Sequence, residues 1–249
     1  MKPYQQVIAE RYDGRERRES PLASRYSLLH PLGLYLTQRA RETMVEAMRR
    51  LQAAGLDLER AHVLDVGCGH GAWTRFFAEL TGHPEQVTGF DLSEHRVAQA
   101  RSLHPAIRIE RADLLHLPLD DTRYDVAAAM TVLMHLATRA ELDQALRGIA
   151  DSLRPGGWLL WYDVVVRDHF AAAAQAESSG FSPEQAIELG QAAGLRFAFQ
   201  LPVYRHLLWG RPSYYWAGRG APVWLVRALE AVLPGPPCNM LWAFRKPLA

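Results

Sequence analysis

Three carboxylates, three glycines and one histidine between residues 65 and 135 have the types and spacing to do chemistry. Asp65 stands in Val63-Leu64-Asp65-Val66, and Gly67-Cys68-Gly69-His70-Gly71 follows at once. The apolar run reads as a parallel strand buried on both faces, because such strands lose the polar alternation of a half-exposed one. The glycines remove the Cβ atoms that would hold a ligand away from the backbone just past the strand end. With a helix starting near Trp73, this makes a strand, a glycine turn and a helix N-terminus, a combination that suits a nucleotide-like ligand. Asp91, in "GFDLS", ends the next apolar run, where a carboxylate can accept hydrogen bonds from both hydroxyls of a ribose. Asp113 follows a third such run in "RADLLHLP". His135, in "VLMHL", is of the residue type whose ordinary pKa suits general-base work near neutrality.

These residues need elements to position them. Apolar residues at helical intervals predict a helix over Leu34 to Ala54, stopped by Gly55. Strands are then predicted over Val63 to Val66, Gln86 to Phe90, Ile107 to Arg111, Tyr124 to Met130 and Trp158 to Val166. Helices are predicted between them over Trp73 to Leu80, Glu94 to Leu103 and Glu141 to Leu153, the last ending in "RPGG". This alternation argues for a doubly wound α/β sheet. A helix from Ser182 to Ala193 starts with a serine cap and a proline in its first turn. "LRFAFQLPVY" and "CNMLWAFRK" read as two late strands, separated by a loop and an apolar helix from Val223 to Leu233. The expected architecture is a mostly parallel seven-stranded sheet with its last strand antiparallel. An N-terminal helical lid over 1–55 precedes a core over 56–249, with an aromatic insertion at about 203–236.

The glycine pattern alone leaves the ligand open. Gly67, Gly69 and Ala72 also fit the dinucleotide fingerprint, with Asp91 near the place of its ribose-binding acid, so a nicotinamide oxidoreductase is an alternative. Four stretches taken together point elsewhere. Gly67 to Gly71 in its tight G-x-G-x-G form resembles motif I of the class I S-adenosylmethionine-dependent methyltransferases. "RADLLHLP", "YDVAAAMTVLMHL" and "LRPGGWLLW" resemble, in order and spacing, that family's third, fourth and fifth strands with their turns. The resemblance covers residues 61 to about 166. It implies S-adenosylmethionine as cofactor and S-adenosylhomocysteine as product. Asp65, Gly67, Cys68, Gly69 and Gly71 would lie by the methionine end, Asp91 and Leu92 by the ribose, and Ala112, Asp113 and Leu114 by the adenine. Thr131, after the fourth strand, and Tyr26, on the N-terminal segment, join them as cofactor contacts. Each aspartate also has a plain structural alternative. Asp65 would cap the glycine turn, Asp91 the helix beginning near Ser93, and Asp113 an ordinary turn before "LP". A non-catalytic cofactor-binding partner protein is the remaining rival reading.

Transfer of a methyl group from a sulfonium is an in-line displacement, so positioning the acceptor is the larger part of the task. A hydroxyl acceptor also needs a base, and His135 is the first candidate, with shaping the pocket as its alternative role, while His30 is the second. His30, Tyr162, Asp163 and Trp209 are candidate substrate contacts, Asp163 having a solvated strand-end aspartate as its alternative. Trp209, Tyr214, Tyr215, Trp216 and Trp224 cluster between the last two strands, where aromatics either bind a flat or sugar-like face or pack beneath a loop. The other histidines (His62, His70, His83, His95, His104, His116, His169 and His206) show no clustering and read mostly as surface or cap residues. A looser likeness, in "RYSLLHPLGLYLTQRAR" and "LLWYD", to bacterial methyltransferases of polysaccharide and natural-product pathways points to oxygen methylation of a sugar or secondary metabolite.

Composition sets the outer bounds. The 249 residues are 49% hydrophobic and 22% charged, with a formal net charge of +1, so no global field recruits nucleic acid. The arginines of "RYDGRERRES" alternate with acids. No N/D-P-P-Y/F turn follows the fourth strand, and Pro237-Cys238 lies in the wrong place for a cytosine-methylating cysteine, so nucleic acid is not the expected substrate. Cys68 and Cys238 form no disulfide framework, and no His/Cys spacing suggests a metal. No stretch of about 18 apolar residues is present to span a membrane. The expectation is a cytoplasmic protein with a small-molecule substrate. The apolar helix after Pro222 is expected to pack on its own sheet, with pairing to a second subunit as a homodimer or to a membrane surface as alternatives.

Overall fold

The computed structural model describes residues 28–117, 123–170, 179–205, 222–232 and 235–248. Seven strands form one sheet in the order β3-β2-β1-β4-β5-β7-β6. They are β1 (Val63–Val66), β2 (Val87–Asp91), β3 (Arg108–Arg111), β4 (Tyr124–Met130), β5 (Leu153–Val164), β6 (Arg196–Arg205) and β7 (Pro237–Arg245). Among the described residues six α-helices connect or flank them: α1 (Pro31–Ala53), α2 (Ala72–Thr81), α3 (Glu94–Leu103), α4 (Arg139–Ser152), α5 (Pro183–Ala192) and α6 (Val223–Val232). β1, β2, β3, β4 and β5 run parallel. The Gly156 N–H donates to the Lys246 carbonyl at 3.1 Å, and the Lys246 N–H to Gly157 at 2.8 Å. The end of the last strand thus meets the start of β5, which makes β7 antiparallel as expected.

The chain divides into two compact units, Arg49–Gln200 with Trp242–Ala249 and Met1–Met48 with Leu201–Leu241. In the first unit β1 and the middle of β4 are wholly buried, and the strand order reverses at β1, with β2 on one side and β4 on the other. Open α/β sheets place their ligands at the carboxyl ends of the strands beside such a switch point. Trp161 of β5 packs edge-on against Phe181 at 4.7 Å and against Trp242 and Phe244 of β7 at 5.6 and 6.4 Å. In the second unit, Arg227 of α6 reaches Gln38 and Glu42 of α1 at 3.2 and 2.8 Å. There α6 buries Val226 and leaves Trp224 and Val232 exposed.

Several boundaries differ from the sequence expectation: α1 begins at Pro31 rather than Leu34 and β5 ends at Val164 rather than Val166, and two starts have a local cause. α4 begins at Arg139, because Thr138 and Glu141 form a capping box one turn ahead of the apolar repeat. β5 begins at Leu153 rather than Trp158 and runs through Arg154-Pro155-Gly156-Gly157. Its register against β4 shifts between Tyr124 and Val126, and β7 satisfies the glycine backbone on its other side. Among the described residues no helix is long and apolar enough to cross a membrane.

Candidate active site

The glycine turn after β1 is built as a cradle. Gly67, Gly69 and Gly71 have φ of 71°, 55° and 81°, in the left-handed region where a Cβ is strained. A Cβ on Gly67 would also lie 2.5 Å from a methyl of Val132, so the turn after β4 closes directly over it. The Cys68 N–H donates to the Phe90 carbonyl at 2.8 Å, tying the turn to β2. Burial pushes the Cys68 thiol up, and the nearby charges of Asp65 and Asp91 push it further, so it stays protonated and no nucleophile.

Asp91 organises the neighbouring corner. Its Oδ2 accepts the Gly69 N–H at 2.8 Å and its Oδ1 the Ser93 N–H at 2.9 Å. Ser93, not Asp91, is the side-chain cap of α3, accepting from the Arg96 N–H. Each Asp91 oxygen keeps a further lone pair, enough for two ligand hydroxyls. The Ala112 N–H donates to the Asp91 carbonyl at 3.0 Å, and Arg111 Nε to the Leu92 carbonyl at 3.3 Å. Asp113 does make a turn, accepting the Leu115 N–H at 3.0 Å and pairing with His116 at 3.1 Å. Leu114 beside it is buried.

Asp65 lies beneath this surface and is 1% exposed. Its Oδ2 accepts a 2.6 Å hydrogen bond from the Thr74 hydroxyl of α2, while Oδ1 is buried with no hydrogen-bond partner among the described residues. Its side chain therefore braces the first turn of α2 instead of capping the glycine turn. Burial raises its carboxyl to about 7, against the Thr74 hydrogen bond and with the Asp91 charge adding to the rise.

The carboxyl end of β4 turns on Thr131, which at φ 54° is the only non-glycine residue in the left-handed region among those described. The turn is fixed by the Thr131 N–H donating to the Tyr162 carbonyl at 2.8 Å and by the Thr131 hydroxyl donating to Met130 at 2.7 Å. A short 3-10 turn, Leu133–His135, follows and buries His135. Tyr162 is buried beside it on β5.

Asp163 is not solvated. It is fully buried, and its carboxylate accepts the Met134 N–H at 3.1 Å, the Trp161 indole at 3.3 Å and the Val164 N–H at 3.1 Å. Burial raises its pKa to about 7, against those three donors. Its carboxylate thus acts on the turn that carries His135.

The structure brings Asp65, the glycine turn, Asp91, Ala112, Thr131 and the Leu133–His135 turn to the carboxyl ends of neighbouring strands. His30 lies in the other unit, at the residue before α1. Tyr26 and Trp209 lie outside the described residues, as do Tyr214, Tyr215 and Trp216. Sequence reasoning missed Thr74 and Val132. It also placed His169 among surface or cap residues, whereas His169 is fully buried. Only Thr74 left a trace: a hydroxyl just inside the predicted α2, nine residues on from Asp65.

Residues 63–157 match the model of a methyltransferase domain. The methyltransferase GfsG of Streptomyces halstedii is 36% identical over 133 residues, which cover 51% of this chain and 46% of that protein. The O-methyltransferase cnsE of Penicillium expansum is 40% identical over 115 residues, covering 43% of this chain and 39% of that protein. The matches span less than half the length of these curated relatives. Among solved structures, the [4+2]-cyclase SpnF is similar with a TM-score of 0.54 and 25% identity over 76% of each chain.

Proposed function

We propose, from the match of residues 63–157 to a methyltransferase domain, that this chain is a class I S-adenosylmethionine-dependent methyltransferase and transfers a methyl group from that cofactor to a hydroxyl of a small molecule. The observation that carries the reading is the unpartnered Oδ1 of Asp65 beneath three left-handed glycines. A buried acceptor without a donor is costly unless a ligand supplies one, and the cofactor's ammonium would do so. The residues fit the group. Asp65 would meet the amino-acid end, Gly67, Cys68, Gly69 and Gly71 would lie along it, and Asp91 would take the ribose hydroxyls with its remaining lone pairs. Ala112, Asp113 and Leu114 would flank the base, with Leu92, Thr131 and Tyr26 completing the contacts.

S-adenosylmethionine, when bound, supplies a methyl carbon already activated by its sulfonium. The chain's own work is to place the acceptor in line and remove its proton. His135 is the base in this reading, held in place by the turn that Asp163 braces. Oxygen as acceptor draws support from relatives that include named O-methyltransferases. A secondary metabolite or sugar as substrate, His30, Tyr162 and Trp209 as its contacts, residues 1–55 as a lid, a cytoplasmic setting and a homodimer belong to the same proposal. The nicotinamide alternative is not favoured, since it accounts for Gly67 to Ala72 and Asp91 but not for the match over 63–157.

Calorimetric titration with S-adenosylhomocysteine and, separately, NAD tests the cofactor. Micromolar binding of the former alone, lost in Asp91→Ala, is expected, and binding of NAD alone would overturn the reading. With an accepted substrate in hand, His135→Ala should lower turnover at least ~100-fold. Unchanged turnover would leave His135 with a shaping role only.

A further inference from the structure

His169 lies in the segment after β5 and is enclosed, stacked on the Phe181 ring at 4.2 Å with an interplanar angle of 9°. Its Nε2 faces the Leu136 carbonyl at 2.6 Å and its Nδ1 the Gly180 carbonyl at 2.9 Å. Leu136 is the residue that ends the turn carrying His135. The same turn is tied elsewhere, by the Met134 N–H donating to Asp163 and by the Ser179 N–H donating to the Met134 carbonyl at 3.0 Å. A neutral imidazole has one N–H, so between two carbonyl oxygens it satisfies one and turns a lone pair toward the other. An imidazolium donates to both.

We infer that His169 is a positioning residue whose second proton completes a tie between the Leu136 carbonyl, and so the His135 turn, and the Gly180 carbonyl. Its consequence for chemistry rests on the reading of His135 as base; the tie itself does not. Burial lowers the ring's pKa, against the Leu136 and Gly180 carbonyls and the charge of Asp168, so the neutral ring prevails near pH 7 and the tie completes below it. Asp168 is the charged neighbour, its carboxylate accepting from the Phe170 N–H and Gln185 Nε2. The titratable groups on the elements packed around the ring are His135 on the turn, Asp163 on β5, and Glu184 and Glu188 on α5, with Glu188 paired to Arg139 of α4.

Nitrogen NMR of the His169 ring in the free protein, from pH 8 to 5, tests this without substrate or cofactor. One bare ring nitrogen is expected at pH 8 and two protonated ones at low pH, with a midpoint below the ordinary histidine value of about 6.5. The amide signals of Met134, Leu136, Gly180 and Phe181 should move with that same midpoint. A ring that titrates while those amides stay still, or one that keeps a bare nitrogen at pH 5, overturns the inference. In His169→Gln, which keeps one donor, the pH-linked movement should vanish while S-adenosylhomocysteine affinity at pH 7.5 stays within threefold. Movement that persists in this variant also overturns it. If His169→Gln fails to fold, the wild-type titration decides alone. Failure of S-adenosylhomocysteine to bind the wild type would sink the functional reading and leave the amide result standing.

Discussion

Asp65 on β1 and Asp163 on β5 are both enclosed, and burial pushes both carboxyls up to about 7, yet their partners differ. Asp163 spends its oxygens on three donors of its own chain. Asp65 has one donor, Thr74, and an oxygen with none. A raised pKa and deep burial therefore do not by themselves separate a ligand site from a structural brace. An unfilled acceptor beside three left-handed glycines at the strand end does. The end of β5 is finished by the fold, while the end of β1 is left for something else to finish.

Removing each carboxylate should break this contrast most visibly. Asp163→Ala leaves two part-buried backbone N–H groups and a buried indole N–H without an acceptor, at about 1–3 kcal/mol each. At pH 4, where burial of its charge costs the wild type nothing, its melting temperature should fall by roughly 6 °C or more, at about 2–4 °C per kcal/mol for a chain of this size. Asp65→Ala frees only the Thr74 hydroxyl, which can turn to a carbonyl of its own helix. At pH 4, where its carboxyl is neutral in the folded chain, it should melt within about 3 °C of the wild type, and at pH 8 it should bind S-adenosylhomocysteine at least ~100-fold more weakly, given the strength of a buried charge-assisted pair. Calorimetry on both variants reads both quantities. Equal binding losses would erase the distinction between the two sites.

A pH series sharpens the comparison further. Both carboxyls have folded pKa values above their ordinary 3.8, so each contributes stability that is full below about pH 4 and lost as pH rises to about 7. Each share is on the order of 4 kcal/mol, from about 1.4 kcal/mol per unit. Asp65→Asn should remove one share of that decline in denaturant-unfolding measurements from pH 4 to 8, and leave the share of Asp163. Ligand binding should follow Asp65 alone. Below pH 7 the affinity for S-adenosylhomocysteine should fall by up to about tenfold per unit, as the carboxylate that meets the ammonium is protonated. A flat binding profile between pH 5.5 and 7 would move the ammonium away from Asp65.

Much of the β1 region was legible in the chain itself, because its signals are local. Val63 to Val66, the glycines and Asp91 are strand, turn and strand-end residues in one short stretch, and the structure places the Gly69 N–H on the Asp91 carboxylate. The region around β5 was less so. "RPGG" reads as a break, and only hydrogen bonds to Lys246, some ninety residues on, make it a strand. Asp163 looked like a strand-end acid because nothing near it in sequence announces Met134 as its donor, 29 positions earlier. His169 was hidden for the same reason. Its partners Leu136 and Gly180 are 33 and 11 residues away, and a lone histidine leaves no periodic pattern. Side chains that serve the fold through distant backbone groups carry no spacing to read, whereas a ligand cradle made of consecutive residues does.

The smallest expected effect concerns Thr131, where the two regions join. Its left-handed backbone strains a β-branched residue by roughly 1–2 kcal/mol. Glycine removes that strain but gives back about 0.5–1 kcal/mol through the freer unfolded chain. It also loses the hydroxyl's bond to Met130, of similar net worth at about 1 kcal/mol. Thr131→Gly should therefore melt within about 3 °C of the wild type. The backbone N–H that reaches Tyr162 survives the change, so the turn should keep its path. If the Thr131 side chain serves only that path, S-adenosylhomocysteine affinity will change less than threefold. A loss beyond tenfold at unchanged stability would instead put its hydroxyl on the cofactor, and would make the end of β4 part of the unfinished site rather than of the brace.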